Sequence, residues 1–326
     1  MDSLLSRVYT AFSPPTVDKE PGAIRFGILG AARTALHYEW TVRSIRAGKH
    51  VLLEKPATSN AIEASKLFNM PELQKPGAPV LLEAFHGRFH PAIQLFRSFI
   101  TPDDVVHADT TGMVPWIFAD KNGIEFNYDL AGGCMAHLGS YNFAVLRTVF
   151  ASEPEECLYC ETTTFNDGDR CDRDFKASFR FPNGGIGEAK NTLWGPIIWK
   201  PSEAKVTHRE TLILGEELPS GQEKVKTRIV TLHGFMNAFI WHRVDVEDRF
   251  VIRRTSDRQP VSTWVEFNSH KGYTYKESGG EHAHLESEPW WMSYRFQLAE
   301  FVKRVQGQKT HYWIEGEDSI KPDEDD

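Results

Sequence analysis

Two kinds of apolar pattern divide this chain near residue 105. Before it, short continuous apolar runs alternate with helical spacings. Ile24 to Leu29, Val51-Leu52-Leu53 and residues 80–85 read as strands covered on both faces, as in a parallel sheet. Residues 34–47 read as an amphipathic helix, with Trp40, Val42 and Ile45 apolar, Arg43 and Arg46 polar, and Gly48 as its stop. Helices follow over 60–69, with Asn60 as N-cap, and over 91–100, with Pro91 in its first turn. After residue 105 the pattern turns to many alternating stretches, over 105–113, 158–165, 175–181, 186–193, 206–214, 225–232, 246–253 and 262–267. Asn183-Gly184-Gly185 marks a hairpin turn. Two helical stretches, 134–150 and 289–306, interrupt this second region. A short one, Leu4 to Phe12, has the spacing to pack on the body.

The fold class this predicts is α/β plus α+β. A small Rossmann-like unit over 24–104 follows a leader (1–23). A large, mainly antiparallel sheet domain covers 105–318, and 319–326 is an acidic tail expected to be disordered. A length of 326 residues suits two such domains.

Composition narrows the partners. A net charge of −8 argues against nonspecific nucleic-acid binding, which needs a basic face. No run of about 18 apolar residues is present, so no membrane helix is expected. Residues 1–20 lack the apolar core of a secretory signal. Four cysteines make no disulfide framework and fit a reducing, cytoplasmic compartment. Cys157 and Cys160 fall on a strand, where a spacing of three puts side chains on opposite faces, against a shared zinc ion. No metal site is expected.

The candidate chemistry centres on Glu54-Lys55-Pro56 at the end of the second strand. Open α/β sheets bind ligands at the carboxyl ends of their strands. A lysine there suits a proton transfer or an anion; a Glu–Lys surface pair is the alternative. Upstream, Gly30-Ala31-Ala32-Arg33-Thr34-Ala35 is a G-x-A-x-x-A variant of the dinucleotide turn, between a strand and a helix. His86, Arg88 and His90 alternate near a strand end. At period two they share a face, as a polar rim for a ligand or a solvated loop. His282 and His284 read as an exposed loop pair without a role, and Trp290 and Trp291 as packing between the domains.

These stretches carry a resemblance. The strand, the Gly/Ala turn and Ala47-Gly48-Lys49-His50-Val51-Leu52-Leu53-Glu54-Lys55-Pro56 resemble the sugar-oxidoreductase family of glucose–fructose oxidoreductase and inositol dehydrogenase (Gfo/Idh/MocA). The similarity is greatest to its NADP-dependent D-xylose 1-dehydrogenase and dihydrodiol dehydrogenase branch. His37-Tyr38-Glu39-Trp40, the run from Leu82 to Pro91, Tyr128 to Gly133 and Leu138-Gly139-Ser140-Tyr141 match it too. The resemblance implies an NADP-dependent dehydrogenase that oxidises a sugar hemiacetal to a lactone, or a dihydrodiol, and pairs as a homodimer through the second-domain sheet. Lys55 and Tyr141 are its implied catalytic pair. Gly30, Ala32, Arg33, Thr34, His37, Glu54 and Lys55 are implied at the cofactor, and Phe85, His86, Arg88, His137 and Tyr141 at the substrate. His137 stands where the family commonly has Asp.

One departure stands out. Between Gly30 and Glu54 there is room for one helix only, and a single βαβ unit takes roughly 30 residues. The family places further strands there, including the one that holds the adenosine ribose. An internal block is therefore expected to be missing. Glu54 falls near the spacing of a ribose-binding acid, but it belongs to the strand end beside the nicotinamide. The alternative function is a catalytically impaired homologue or truncated isoform acting as a dimeric structural or binding protein.

Overall fold

The structure, a computed structural model, describes residues 4–13, 26, 34–198, 200–215 and 218–320. Apart from Phe26, the expected strand at 24–30 lies outside the described residues, as do the turn residues Gly30, Ala32 and Arg33 and the tail after 320.

The first region opens with α1 (Leu4–Phe12) and α2 (Thr34–Arg46). Arg7 of α1 is buried. Its guanidinium donates to the Phe239 and Pro289 carbonyls and lies 3.7 Å from the centre of the Tyr273 ring, which seats the helix on the second region. Gly48, at φ +70°, ends the turn after α2, a conformation that costs glycine little. Strand β1 (Val51–Glu54) follows, then α3 (Ala61–Phe68), whose first turn is capped where Asn60 accepts the Glu63 N–H at 2.9 Å. Strand β2 (Leu81–Ala84) pairs parallel with β1, Leu53 opposite Glu83. Ile45, Leu53, Ala57, Leu67, Phe68 and Met70 form the core beneath. Helix α4 (Pro91–Ser98) leads out, with Pro91 in its first turn and the His90 ring as its cap.

The second region is one large sheet. Its strands are β3 (Val105–Pro115), β4 (Glu156–Thr163), β5 (Asp174–Arg180), β6 (Ile186–Gly195), β7 (Glu203–His208), β8 (Thr211–Ile213), β9 (Gln222–His233), β10 (Arg243–Arg254) and β11 (Pro260–His270). They run in the order β11-β10-β9-β7-β3-β6-β5-β4, with β8 beside β9. Every pairing is antiparallel except β3 with β6.

Helix α5 (Ser140–Phe150) covers one face. Its Phe143 ring meets Phe175 and Phe179, and Leu146 and Val149 bury beside them. A buried polar chain fixes its register. Asn191 donates to Asn142 at 2.7 Å, Asn142 to Thr110 at 3.1 Å, and Thr110 to the Glu188 carbonyl at 2.9 Å. Buried amides need such partners, so sliding α5 along the sheet would strand several at once. The neighbour of Asn142 is Tyr141, and its position is set by the same chain.

The last segment returns to the first region. It comprises α6 (Tyr275–Ser278), α7 (Ser293–Val305) and α8 (Gly316–Ile320). Trp291, Phe296, Phe301 and Ile314 bury against Leu82 and Phe89. Arg147 of α5 holds both Glu153 and Asp318, tying α8 to the second region.

Several expectations are corrected. The stretch 206–214 is two strands, because Arg209 turns back to donate its N–H to the Asp104 carbonyl. The helix expected from 289 begins at Ser293, after Pro289 and the buried Trp291. Residues His86–Phe89 form a 3-10 turn, so His86, Arg88 and His90 share no strand face. The register shift after Cys157 sets Cys157 opposite Phe179 and Cys160 opposite Ala177. Those partners are two apart on β5, so the bulge brings both thiols to one face. The uncovered sheet face is not uniformly apolar. Asp245 alone gathers Arg243, His233 and Ser269 there, and apolar exposure concentrates at the β11 edge, at Val265 and Phe267.

Candidate active site

Lys55 follows directly on β1, at the carboxyl end of the parallel pair. The chain leaves the strand there, so the side chain points out of the first region toward the second. Its Nζ donates to the His137 carbonyl at 2.8 Å and stands 4.3 Å from the centre of the Tyr141 ring. Both partners come from the turn that enters α5. The π-helical turn Met135–Gly139 widens the backbone there, as such turns often do at functional positions. Burial lowers the pKa of the Lys55 amine to about 8, against the opposing pull of Glu54 and Glu83. Lys55 is partly exposed, so solvent still reaches the amine. An amine in that range can hold or release a proton near neutral pH.

Tyr141 is pushed the other way. Burial, then the nearby Tyr294 and Glu54, raise its pKa, so its hydroxyl keeps its proton. Its ring packs 5.2 Å from Phe85 and 6.3 Å from His86, centre to centre. His86 is buried, and burial followed by the Lys55 charge lowers its pKa to about 4. It is a neutral imidazole, 2.7 Å from Ser293 Oγ through Nδ1 and stacked on Tyr294 at 3.9 Å. Burial, then Lys55, also lowers the pKa of the His137 ring, so the turn presents a backbone carbonyl and a neutral ring to the lysine.

The structure thus gathers Lys55, Phe85, His86, His137 and Tyr141 from both regions. Glu54 sits exposed at the strand end beside them. His37 is buried and its Nδ1 donates to the Pro56 carbonyl at 2.9 Å, which braces the segment after Lys55 from α2. Thr34 begins α2. Arg88 does not join the cluster as expected. Its Nε donates to the Tyr312 hydroxyl at 3.2 Å and it faces Asp318 at 3.8 Å, so the charge holds the C-terminal segment. His90 is fully buried under α4 and is structural. A small apolar cavity behind the Tyr141 ring, among Phe85, Ile93, Phe96 and Val145, holds about 20 Å³. That is room for about one water, so it is no sugar pocket.

Three contributors escaped the sequence reading. Ser293 and Tyr294 arrive from the far end of the chain and have no local signal. Glu83 had one, as a carboxylate inside the apolar run 80–85. It accepts the Ala57 N–H at 3.0 Å and thereby grips the chain after Lys55-Pro56. Burial raises its pKa, against hydrogen bonds from Ser319 and Ala57.

A parallel strand end facing an aromatic cluster on a large, mainly antiparallel sheet defines a two-region α/β architecture. Residues 21–76 match the NAD-binding Rossmann domain of the GFO/IDH/MocA oxidoreductase family, and residues 103–197 match the family's C-terminal domain. Both matched stretches are similar to domains of that one family. The chain is 33% identical over 122 residues to a dTDP-3,4-didehydro-2,6-dideoxy-alpha-D-glucose 3-reductase of Streptomyces violaceoruber, covering 36% of this chain and 34% of that one. It is 30% identical over 133 residues to D-xylose 1-dehydrogenase (NADP(+)) 2 of Haloferax volcanii, covering 40% and 39%. The chain therefore spans roughly a third to two-fifths of the length of these curated relatives. Among solved structures it resembles aldose-aldose oxidoreductase from Caulobacter crescentus at a TM-score of 0.58 and 16% identity, covering 89% of this chain and 71% of that one. Levoglucosan dehydrogenase bound to NADH gives 0.60 and 16%, covering 89% and 73%. These likenesses concern the fold.

The Lys55 environment makes a direct prediction. Competitive acetylation from pH 6 to 10, read by peptide mass spectrometry, should give Lys55 a reactivity midpoint near 8, below that of the exposed lysines. A midpoint near the ordinary lysine value of about 10.4 would mean that the amine is not desolvated.

Proposed function

We propose that the chain is a sugar oxidoreductase of the NADP-dependent D-xylose 1-dehydrogenase type, which oxidises a cyclic hemiacetal to a lactone. One observation carries the reading. Lys55, a desolvated amine at a parallel strand end, lies against Tyr141 of the other region. The activity of the xylose dehydrogenases among its relatives supports the substrate class. Residues 24–104 are read as the cofactor unit and 105–318 as the substrate and pairing unit.

NADP would lie along Gly30, Ala32, Arg33 and Thr34 with its phosphates, and near His37, Glu54 and Lys55 with its nicotinamide. The described residues fit the nicotinamide end, where a strand terminus, a partly neutral amine and an aromatic wall converge. When bound, the nicotinamide supplies the hydride acceptor. Lys55, in its neutral form, takes the proton of the sugar hydroxyl. Tyr141 hydrogen-bonds the same oxygen and relays that proton, taking it on its hydroxyl oxygen as it passes its own proton to Lys55. The His137 carbonyl holds the amine in place, while Phe85 and the neutral His86 wall the pocket without adding charge. As pH falls below about 8, Lys55 is held protonated and the base is lost.

Cofactor affinity is where this chain falls short. The phosphate turn keeps a helix start at Thr34, but the short stretch between Gly30 and Glu54 leaves no strand for the adenosine ribose. Each charged hydrogen bond lost is worth about 1.5–3 kcal/mol. Two such losses weaken binding by roughly two to four powers of ten. This favours the second reading, a dimeric binding protein with impaired catalysis, as the limiting case. The four free cysteines fit a reducing, cytoplasmic setting.

NADPH titration by fluorescence, with D-xylose turnover, tests this. Weak binding and barely detectable oxidation are expected. Grafting the missing block from a full-length relative should restore turnover, and Lys55→Ala should abolish it again. Ordinary turnover by the chain as it stands would refute the missing-strand argument, and no NADPH binding before or after grafting would refute the dehydrogenase reading.

Pairing is proposed through the sheet face at β11, where Val265 and Phe267 are exposed. Sedimentation at micromolar concentration should give a dimer that Phe267→Lys converts to monomer; a monomeric wild-type chain would remove the proposal.

A further inference from the structure

The uncovered face of the sheet holds a side-chain trio remote from Lys55. His107 and Asp109 stand two residues apart on β3, flanking the buried Ala108 and followed by the buried Thr110. Both therefore project to the face opposite α5. Glu188 of β6 lies directly opposite Asp109 in the parallel register. The Asp109 carboxylate is 3.2 Å from His107 Nδ1, and the Glu188 carboxylate is 3.9 Å from Nε2. One possible ligand atom from each of the three lies within 4.8 Å of the other two. A tetrahedral ion with bonds of about 2.0–2.2 Å sets its ligands roughly 3.3 Å apart. Small side-chain rotations would close the trio on one ion, while strands paired on both sides hold the backbone still.

Electrostatics gives the trio a reason to take a cation. Two carboxylates facing each other across a strand pair repel unless a positive group lies between them. In the metal-free chain that group is His107, whose pKa is raised chiefly by its hydrogen bond to Asp109. The same bond holds the Asp109 carboxyl below its usual range. Lys205 of β7, opposite Asp109 in the antiparallel register, is the other cation. Lys190 lies two residues beyond Glu188 on β6, and β5 adds the uncharged Ser178 opposite Glu188.

We propose that His107, Asp109 and Glu188 form a binding site for a divalent transition-metal ion of the Zn²⁺ class. One imidazole and two carboxylates suit such an ion. Mg²⁺ and Ca²⁺ favour oxygen ligands alone. Three protein ligands leave a fourth position open to water. Imidazole binds an ion through a deprotonated nitrogen, so metal and proton compete for the His107 ring. Asp109 lies 79 residues before Glu188 in sequence, which hid the set from any spacing motif. The site is independent of the proposed dehydrogenase reaction, because Tyr141 lies on the α5 side of the sheet.

Calorimetric titration of ZnCl₂ into the chelator-stripped full chain at pH 7.5 tests the site. One saturable site is expected, weakened about tenfold or more by His107→Ala and by Glu188→Gln. Both side chains are on the surface, so the metal-free variants should melt like the parent. Zinc could instead bind the Cys157/Cys160 pair or His282 and His284. A variant with Cys157→Ser, Cys160→Ser, His282→Ala and His284→Ala should therefore keep the site. At pH 5.5 the affinity should fall by a further tenfold or so. Absence of saturable binding would overturn the proposal. So would binding that survives in a His107→Ala/Glu188→Gln variant, binding that disappears in the fourfold variant, or affinity unchanged by pH.

Discussion

The contact between Lys55 and the turn entering α5 is the constraint on which the site depends. It joins the end of a parallel strand in one region to a helix on the sheet of the other. In the proposed reaction each region supplies one of the two groups. Burial lowers the pKa of Lys55 and raises that of Tyr141, and the amine of one region lies against the ring of the other. Burial is therefore shared across the junction and shifts two groups in opposite protonation senses, an arrangement suited to moving one proton.

The junction is held from several directions. Asn142, beside Tyr141, is locked to Thr110 and Asn191 under α5. Glu83 and His37 grip Ala57 and Pro56 on the other side of Lys55. Arg147 and Arg88 converge on Asp318 and draw α8 between the two regions. Each of these is a polar group with more than one obligation, so a shift of either region would leave several unsatisfied at once.

Much of this was legible in the chain. The change from continuous apolar runs to alternation near residue 105 separated the two regions, because parallel strands bury both faces and this sheet buries one. Lys55 and Tyr141 stood out through Glu-Lys-Pro and Leu-Gly-Ser-Tyr. Tertiary pairing was not legible. Arg88 resembled a rim residue until Tyr312 and Asp318 closed on it, and Ser293 and Tyr294 entered the site from the far end of the chain. The faces of Cys157 and Cys160 were misjudged because a one-residue bulge reverses strand parity and leaves no mark in composition.

The central claim is that Lys55 and Tyr141 are energetically joined across the two regions. A double-mutant cycle on unfolding, with Lys55→Met, Tyr141→Leu and the pair, measures that directly. A coupling of about 0.5–2 kcal/mol is expected for a partly desolvated cation over an aromatic ring. It should shrink as pH rises through 8 and the amine loses its charge. Additive single effects at pH 7, with no coupling at any pH, would contradict the account.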